Sequence, residues 1–151
     1  LQAANSETGV LQALPKGLAL SDMTQAFGKV PLAFDWSGVD MALVSAHKLG
    51  GPKGIGALVL RRGLDVPPQL KGGGQEMGRR AGTEAIHLIA GFGAAAQLAG
   101  ERMEKDAQHV EALWSRACAL FDGWQINGSR SARWHGNLNL HTCRKRPSSL
   151  G

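Results

Sequence analysis

Val39-Asp40-Met41-Ala42-Leu43-Val44-Ser45-Ala46-His47-Lys48, running on into Leu49-Gly50-Gly51-Pro52-Lys53-Gly54-Ile55-Gly56, decides the fold. The largely apolar run from Val39 to Ala46 has the length of a buried strand. It ends at a lysine set among a hydroxyl, an imidazole and glycines. Such a lysine is delivered from a strand end into a pocket suited to a phosphate and a carbonyl, where an amine makes a covalent imine. The glycines and Pro52 predict a turn that brings the chain back into a further apolar run, Gly54–Leu60.

Upstream, Gly17–Ser21 is a third short apolar run. All three are continuous rather than alternating, the pattern of strands covered on both faces in a parallel-type sheet. Asp22–Lys29 reads as a short helical turn, and Val30–Gly38 as loop or edge. After a glycine-rich polar loop, Arg61–Gly82, the pattern turns helical. Ile86, Ile89, Ala90, Gly93, Ala94 and Leu98 share one face, with Thr83 expected as N-cap and the helix reaching about Gln108. Val110, Leu113, Trp114, Ala117 and Leu120 predict a second helix stopped by Gly123, and Trp134–Leu140 a further strand. Parallel-type strands, with a helical turn between the first two and helices after them, suit an α/β protein.

Open α/β sheets bind ligands beyond the carboxyl ends of their strands. Asp22 follows a strand-type run and Lys48 follows another, so both belong at that edge. A carboxylate beneath a pyridine nitrogen keeps it protonated, which is what pyridoxal 5'-phosphate needs to act as an electron sink. Gln25 stands on the same turn as Asp22 and suits the ring's phenolic oxygen. Ser45, His47 and Thr83 offer hydroxyls, an imidazole and a helix start, the groups a phosphate binds. Each residue has a plainer reading: Asp22 or Thr83 as a helix cap, Ser45 as a strand end, Lys48 as a solvated lysine. Their joint order favours the cofactor.

That order carries a resemblance. Asn5-x-Glu7-Thr8-Gly9-Val10, Asp22-x-x-Gln25-x-x-Gly28-Lys29, Ser45-x-His47-Lys48 with Gly51-Pro52-Lys53-Gly54-Ile55-Gly56, and Gly72-Gly73-Gly74-Gln75-Glu76-x-Gly78-x-Arg80-x-Gly82-Thr83 together resemble the cysteine desulfurases. These belong to the class-V aminotransferase branch of fold-type-I pyridoxal enzymes, and the likeness runs from Asn5 to about Ala96. It implies part of a large domain with a mainly parallel sheet flanked by helices. By the resemblance, Lys48 bonds the cofactor and shuttles protons, Asp22 pairs with the pyridine nitrogen, and Gln25 meets the phenolic oxygen. Asn5 lies near that oxygen and the substrate carboxylate. Ser45 and His47 bind the phosphate, and Thr83 binds the phosphate of a partner subunit, which implies a homodimer. The implied reaction removes sulfur from L-cysteine, for delivery to a sulfur-acceptor protein in iron–sulfur cluster or thio-cofactor assembly.

The resemblance implies residues 1–108 as the C-terminal half of the cofactor domain. Residues 109–151 are then a helix and the start of a small domain, with a divergent tail from about 141. Both ends read as cut, so the chain is expected to be a fragment and inactive alone. The family's nucleophilic cysteine is expected beyond it: Cys118 falls in a predicted helix and Cys143 matches no family loop. Another class-V enzyme, such as a selenocysteine lyase or an aminotransferase, and a catalytically dead product are the competing readings.

Bulk properties fit. The chain has 151 residues, 43% hydrophobic and 19% charged, enough for one core. Net charge is +5, but the cations are dispersed apart from Arg61-Arg62, Arg79-Arg80 and Arg144-Lys145-Arg146, and only 5% of residues are aromatic. No nucleic-acid surface is therefore expected. No run reaches the about 18–20 apolar residues of a membrane span, and no secretory signal is read from Leu1 onward. Two cysteines without a Cys-x-x-Cys pair suit a reducing cytoplasm. His135, His141 and Cys143 fit no zinc spacing, so no metal is expected.

Overall fold

A computed structural model describes residues 1–142. Cys143, the Arg144-Lys145-Arg146 run and the rest of the divergent tail lie outside the described residues.

The central sheet is built from the three apolar runs. β1 (Leu20–Asp22) lies parallel to β2 (Met41–Ser45), with Asp22 beside Leu43. β2 lies antiparallel to β3 (Gly56–Leu60), with Leu43 opposite Leu58 and Ser45 opposite Gly56. The N-terminal residues extend the sheet beyond β1: Gln2 bridges Asp22 in parallel, and the Ala3 amide donates to the Asp22 carbonyl at 2.8 Å.

Side chains alternate across a strand, so Ala42 and Val44 of β2 point into one core face while Leu43 points to the other. The core gathers Ala3, Ala4, Met23, Ala26, Val39, Ala42 and Val44. Phe27 and Phe92 close it edge to face, with centroids 6.4 Å apart. Small residues dominate here, so backbone segments approach closely. Gly28 shows how closely: a Cβ there would stand 2.9 Å from Ala99 Cβ and 3.6 Å from Leu49 Cβ.

The expected helix at Thr83 and the second at Val110 are one element, α1, running unbroken over Ile86–Leu120. Nothing at 108–110 breaks it, because no glycine or proline stands there. Thr83 is not its cap; Ala85 holds that position and makes no side-chain bond. The glycine predicted to stop the second helix lies just past its end, at φ 82°. Trp134–Leu140 is largely irregular. Only Leu140–His141 (β5) pairs, antiparallel to Gln125–Ile126 (β4).

Burial on both faces holds for none of the three strands. β2 alternates and β3 is open, with Leu58 47% exposed. The reason is width. A helix of this length spans about 52 Å, several times the length of a five-residue strand, so three short strands cannot cover it. Ile86, Ile89 and Leu98 on the predicted apolar stripe accordingly face outward, while Ala95 is buried.

Candidate active site

β1 and β2 run parallel, so Asp22 and Ser45 leave the sheet at the same edge. After Ser45 the chain enters a single 3-10 turn, Ala46–Leu49, ended by Gly50 at φ 87°, a left-handed conformation suited to glycine. Ala46 is fully buried and its amide donates to Ile55 O at 3.2 Å. The following residues dock on α1. A Cβ at Gly51 would lie 2.9 Å from Ala46 Cβ and 3.2 Å from Ala95 Cβ, and one at Gly91 would lie 3.1 Å from Pro52 Cγ. Lys48 therefore stands on a turn held from below by the sheet and from the side by the helix. Its own side chain is exposed.

Lys48 lines a cleft of about 360 Å³ between this turn, the Gly28–Lys29 turn and α1. Lys29, Arg102, Asp106 and Trp134 share the lining. Arg102 pairs with Asp106 one helical turn along, at 3.4 Å. Lys29 Nζ donates to Gln25 Oε1 at 2.7 Å. Burial, and then the neighbouring Lys48 charge, hold the Lys29 ammonium below the usual lysine range.

None of the other expected site residues lines this cleft. Asp22 Oδ1 accepts from the Thr24 amide at 3.0 Å, shaping the turn that carries Gln25, and Oδ2 has no hydrogen-bond partner among the described residues. Ser45 Oγ and His47 Nδ1 are 2.8 Å apart. Consequently a neutral imidazole lets only one of the two donate outward: Nε2 when Ser45 donates to Nδ1, or the hydroxyl when Nδ1 donates to it. A protonated imidazole lets both donate. Asn5 sits just past the bridge to β1; its Oδ1 accepts from the amides of Glu7 (3.0 Å) and Thr8 (2.9 Å) and from the Thr8 hydroxyl (3.0 Å). Its Nδ2 makes no such bond among the described residues. Thr83 is exposed ahead of α1 and does not line the cleft.

The donor set suits pyridoxal 5'-phosphate. An exposed amine, a carboxylate, an amide and a hydroxyl–imidazole pair follow the carboxyl ends of the parallel strands β1 and β2. Lys29, Arg102 and Trp134 were not singled out from sequence as site residues. The signal for Lys29 was its four-residue spacing from Gln25 on a helical turn. Arg133 was also missed. It is 6% exposed, donates from Nη2 to the Thr8 carbonyl and lies 5.7 Å over the Trp114 ring, tying the C-terminal segment to the Asn5–Val10 loop.

The sheet carries Lys48 on the turn after β2 and Asp22 at the end of the neighbouring parallel strand β1. The class-V aminotransferase profile matches residues 1–138, and the chain belongs to that family. The architecture is that of the fold-type-I large domain, and the family implies pyridoxal 5'-phosphate as cofactor. Cysteine desulfurase IscS of Rickettsia typhi is 41% identical over 155 residues, covering 93% of this chain and 38% of that protein. DndA from Streptomyces lividans matches with a TM-score of 0.83 at 33% identity, over 93% of this chain and 44% of that one. SspA, solved in complex with cysteine, matches with a TM-score of 0.67 at 31% identity, over 83% of this chain and 38% of that one. The chain thus spans under half the length of these relatives. Among the described residues no helix is long and apolar enough to cross a membrane, and no three His, Cys, Asp or Glu side chains gather to hold a metal ion.

Proposed function

We propose that this chain carries the lysine-bearing part of a pyridoxal-phosphate-dependent cysteine desulfurase. The observation that supports it most is Lys48 on the turn that follows β2, with Asp22 ending the parallel neighbour β1, in a chain 41% identical to a cysteine desulfurase. Lys48 would hold the cofactor through its amine. Asp22 would keep the pyridine nitrogen protonated, Gln25 would donate to the phenolic oxygen, and Ser45 with His47 would bind the phosphate. Asn5 would offer Nδ2 to the substrate carboxylate. When bound, the cofactor supplies an electron sink at the substrate α-carbon. The Lys48 amine would hold and return the proton there.

The overall reaction would convert L-cysteine and an enzyme thiol into alanine and an enzyme persulfide, with sulfur passing on to an acceptor protein in the cytoplasm. Cys118 is not assigned as that thiol, because it sits within α1 rather than on a loop. Exposure of Thr83 suits the role of reaching a partner subunit's phosphate, and with it a homodimer. Residues 1–108 would belong to the cofactor domain and 109–151 would lead into a smaller one, the division falling along α1.

Borohydride trapping tests the reading. The chain is mixed with pyridoxal phosphate, reduced, digested and mapped by mass spectrometry beside Lys48→Ala. Selective label on Lys48 is expected. Label scattered over many lysines, or none, would overturn the cofactor assignment.

A further inference from the structure

We propose that Lys29 is a positioning residue, which fixes the end of the Gln25 carboxamide that faces the cofactor. This rests on the cofactor reading above and extends it to a residue outside the expected set. A lysine ammonium has three donors and no acceptor. With Nζ 2.7 Å from Gln25, it accepts only the amide oxygen as partner, and Nε2 is left as the outward donor. Flipping the amide would set two donors against each other. An ionised phenolic oxygen needs a donor, so Lys29 holds Gln25 in the one orientation that serves it.

Gly28 makes the placement possible. At φ 72° and in contact distance of Ala99 and Leu49, it presses the Lys29 turn against α1 and the Lys48 turn. The charged groups facing Lys29 are Lys48 from that turn and the paired Arg102 and Asp106 from α1. Lys29 is partly buried among them, and its proton is therefore lost below the 10.5 of an ordinary lysine. Neutral Lys29 gains a lone pair that accepts from Nε2 as readily as Nζ–H donates to Oε1. The constraint on Gln25 is present at low pH and released as pH rises through the lowered Lys29 value.

The full chain, labelled with nitrogen-15, provides the test. The Gln25 side-chain amide signal is identified by its disappearance in Gln25→Ala. It is expected to move in Lys29→Met and to stay near its parent position in Lys29→Arg, with the alkaline transition seen only in the parent. Unchanged backbone signals from α1 show that each variant is folded. An unmoved amide signal in Lys29→Met overturns the proposal. Pyridoxal phosphate affinity is then read in the parent, Lys29→Met, Gln25→Ala and the double variant. Each single change is expected to weaken binding roughly tenfold, the order of one hydrogen bond to a charged group, and the double variant no further. Additive losses overturn the proposal, because Lys29 would then act without Gln25. Failure of the parent to bind overturns the cofactor reading instead, and the amide signal still decides whether Lys29 orients Gln25.

Discussion

Gly28 and Gly50 both adopt left-handed backbone, but only Gly28 also fills a contact. An alanine at Gly50 meets nothing within 4 Å, so Gly50→Ala should lower stability by the conformational term alone, about 1–2 kcal/mol. Gly28→Ala adds a Cβ 2.9 Å from Ala99 Cβ, and its loss should reach about 2–4 kcal/mol. Urea midpoints of the two variants measure the difference. In an Ala99→Gly background, Gly28→Ala should fall back to the Gly50→Ala loss; if it does not, the contact is not what sets the larger value. Both glycines could be read as turn formers from sequence. That one of them also seats Lys29 beside Lys48 depends on α1 arriving from residues far along the chain.

At the scale of elements, α1 is the clearest test. Helical spacing identified both of its halves from sequence, but not their continuity, the cap at Ala85 or the face turned inward. The apolar faces of Ile86–Leu98 and Val110–Leu120 read as two stripes because the stretch between them is mostly charged and polar, although Ala99, Met103 and Ala107 are half-buried there like Val110 and Trp114. Gly100 lies on this helix with nothing within 4 Å of an added Cβ. Gly100→Ala should therefore stabilise the chain by about 0.5–1 kcal/mol. Gly91→Ala has the same helical benefit but meets Pro52 Cγ at 3.1 Å and Cδ at 3.2 Å, so it should gain less or lose. Equal effects in thermal melts would mean that the Pro52 turn does not rest on α1 as described. Pairing partners show the same divide. The strand runs were legible within a few residues, but the antiparallel direction of β3 follows from the Gly50–Gly54 turn closing on β2, and strand composition does not encode direction.

Across the whole molecule, one sheet face carries Leu20, Leu43 and Leu58 on adjacent strands, 38%, 41% and 47% exposed. A contiguous apolar face on a sheet with an open edge favours association. Leu58→Glu is expected to shift the chain toward monomer in light scattering without unfolding it, since Leu58 lies outside the core cluster. An association unchanged by Leu58→Glu and by Leu43→Glu would place the contact elsewhere, and the surface around Thr83 would be the next to alter.

Local chemistry was determined by sequence alone: a lysine at the end of an apolar run, a carboxylate after another, and a hydroxyl two residues from an imidazole. Residue spacing suffices for these because each depends on neighbours within one turn or strand. Tertiary structure alone decided what surrounds them. It placed Lys29, Arg102 and Trp134 around Lys48, left the other expected site residues out of that lining, and left Leu43, Leu58 and much of α1 facing outward. Those outcomes depend on which segments meet through space, and a pattern of local periodicity carries no record of distance between residues far apart in the chain.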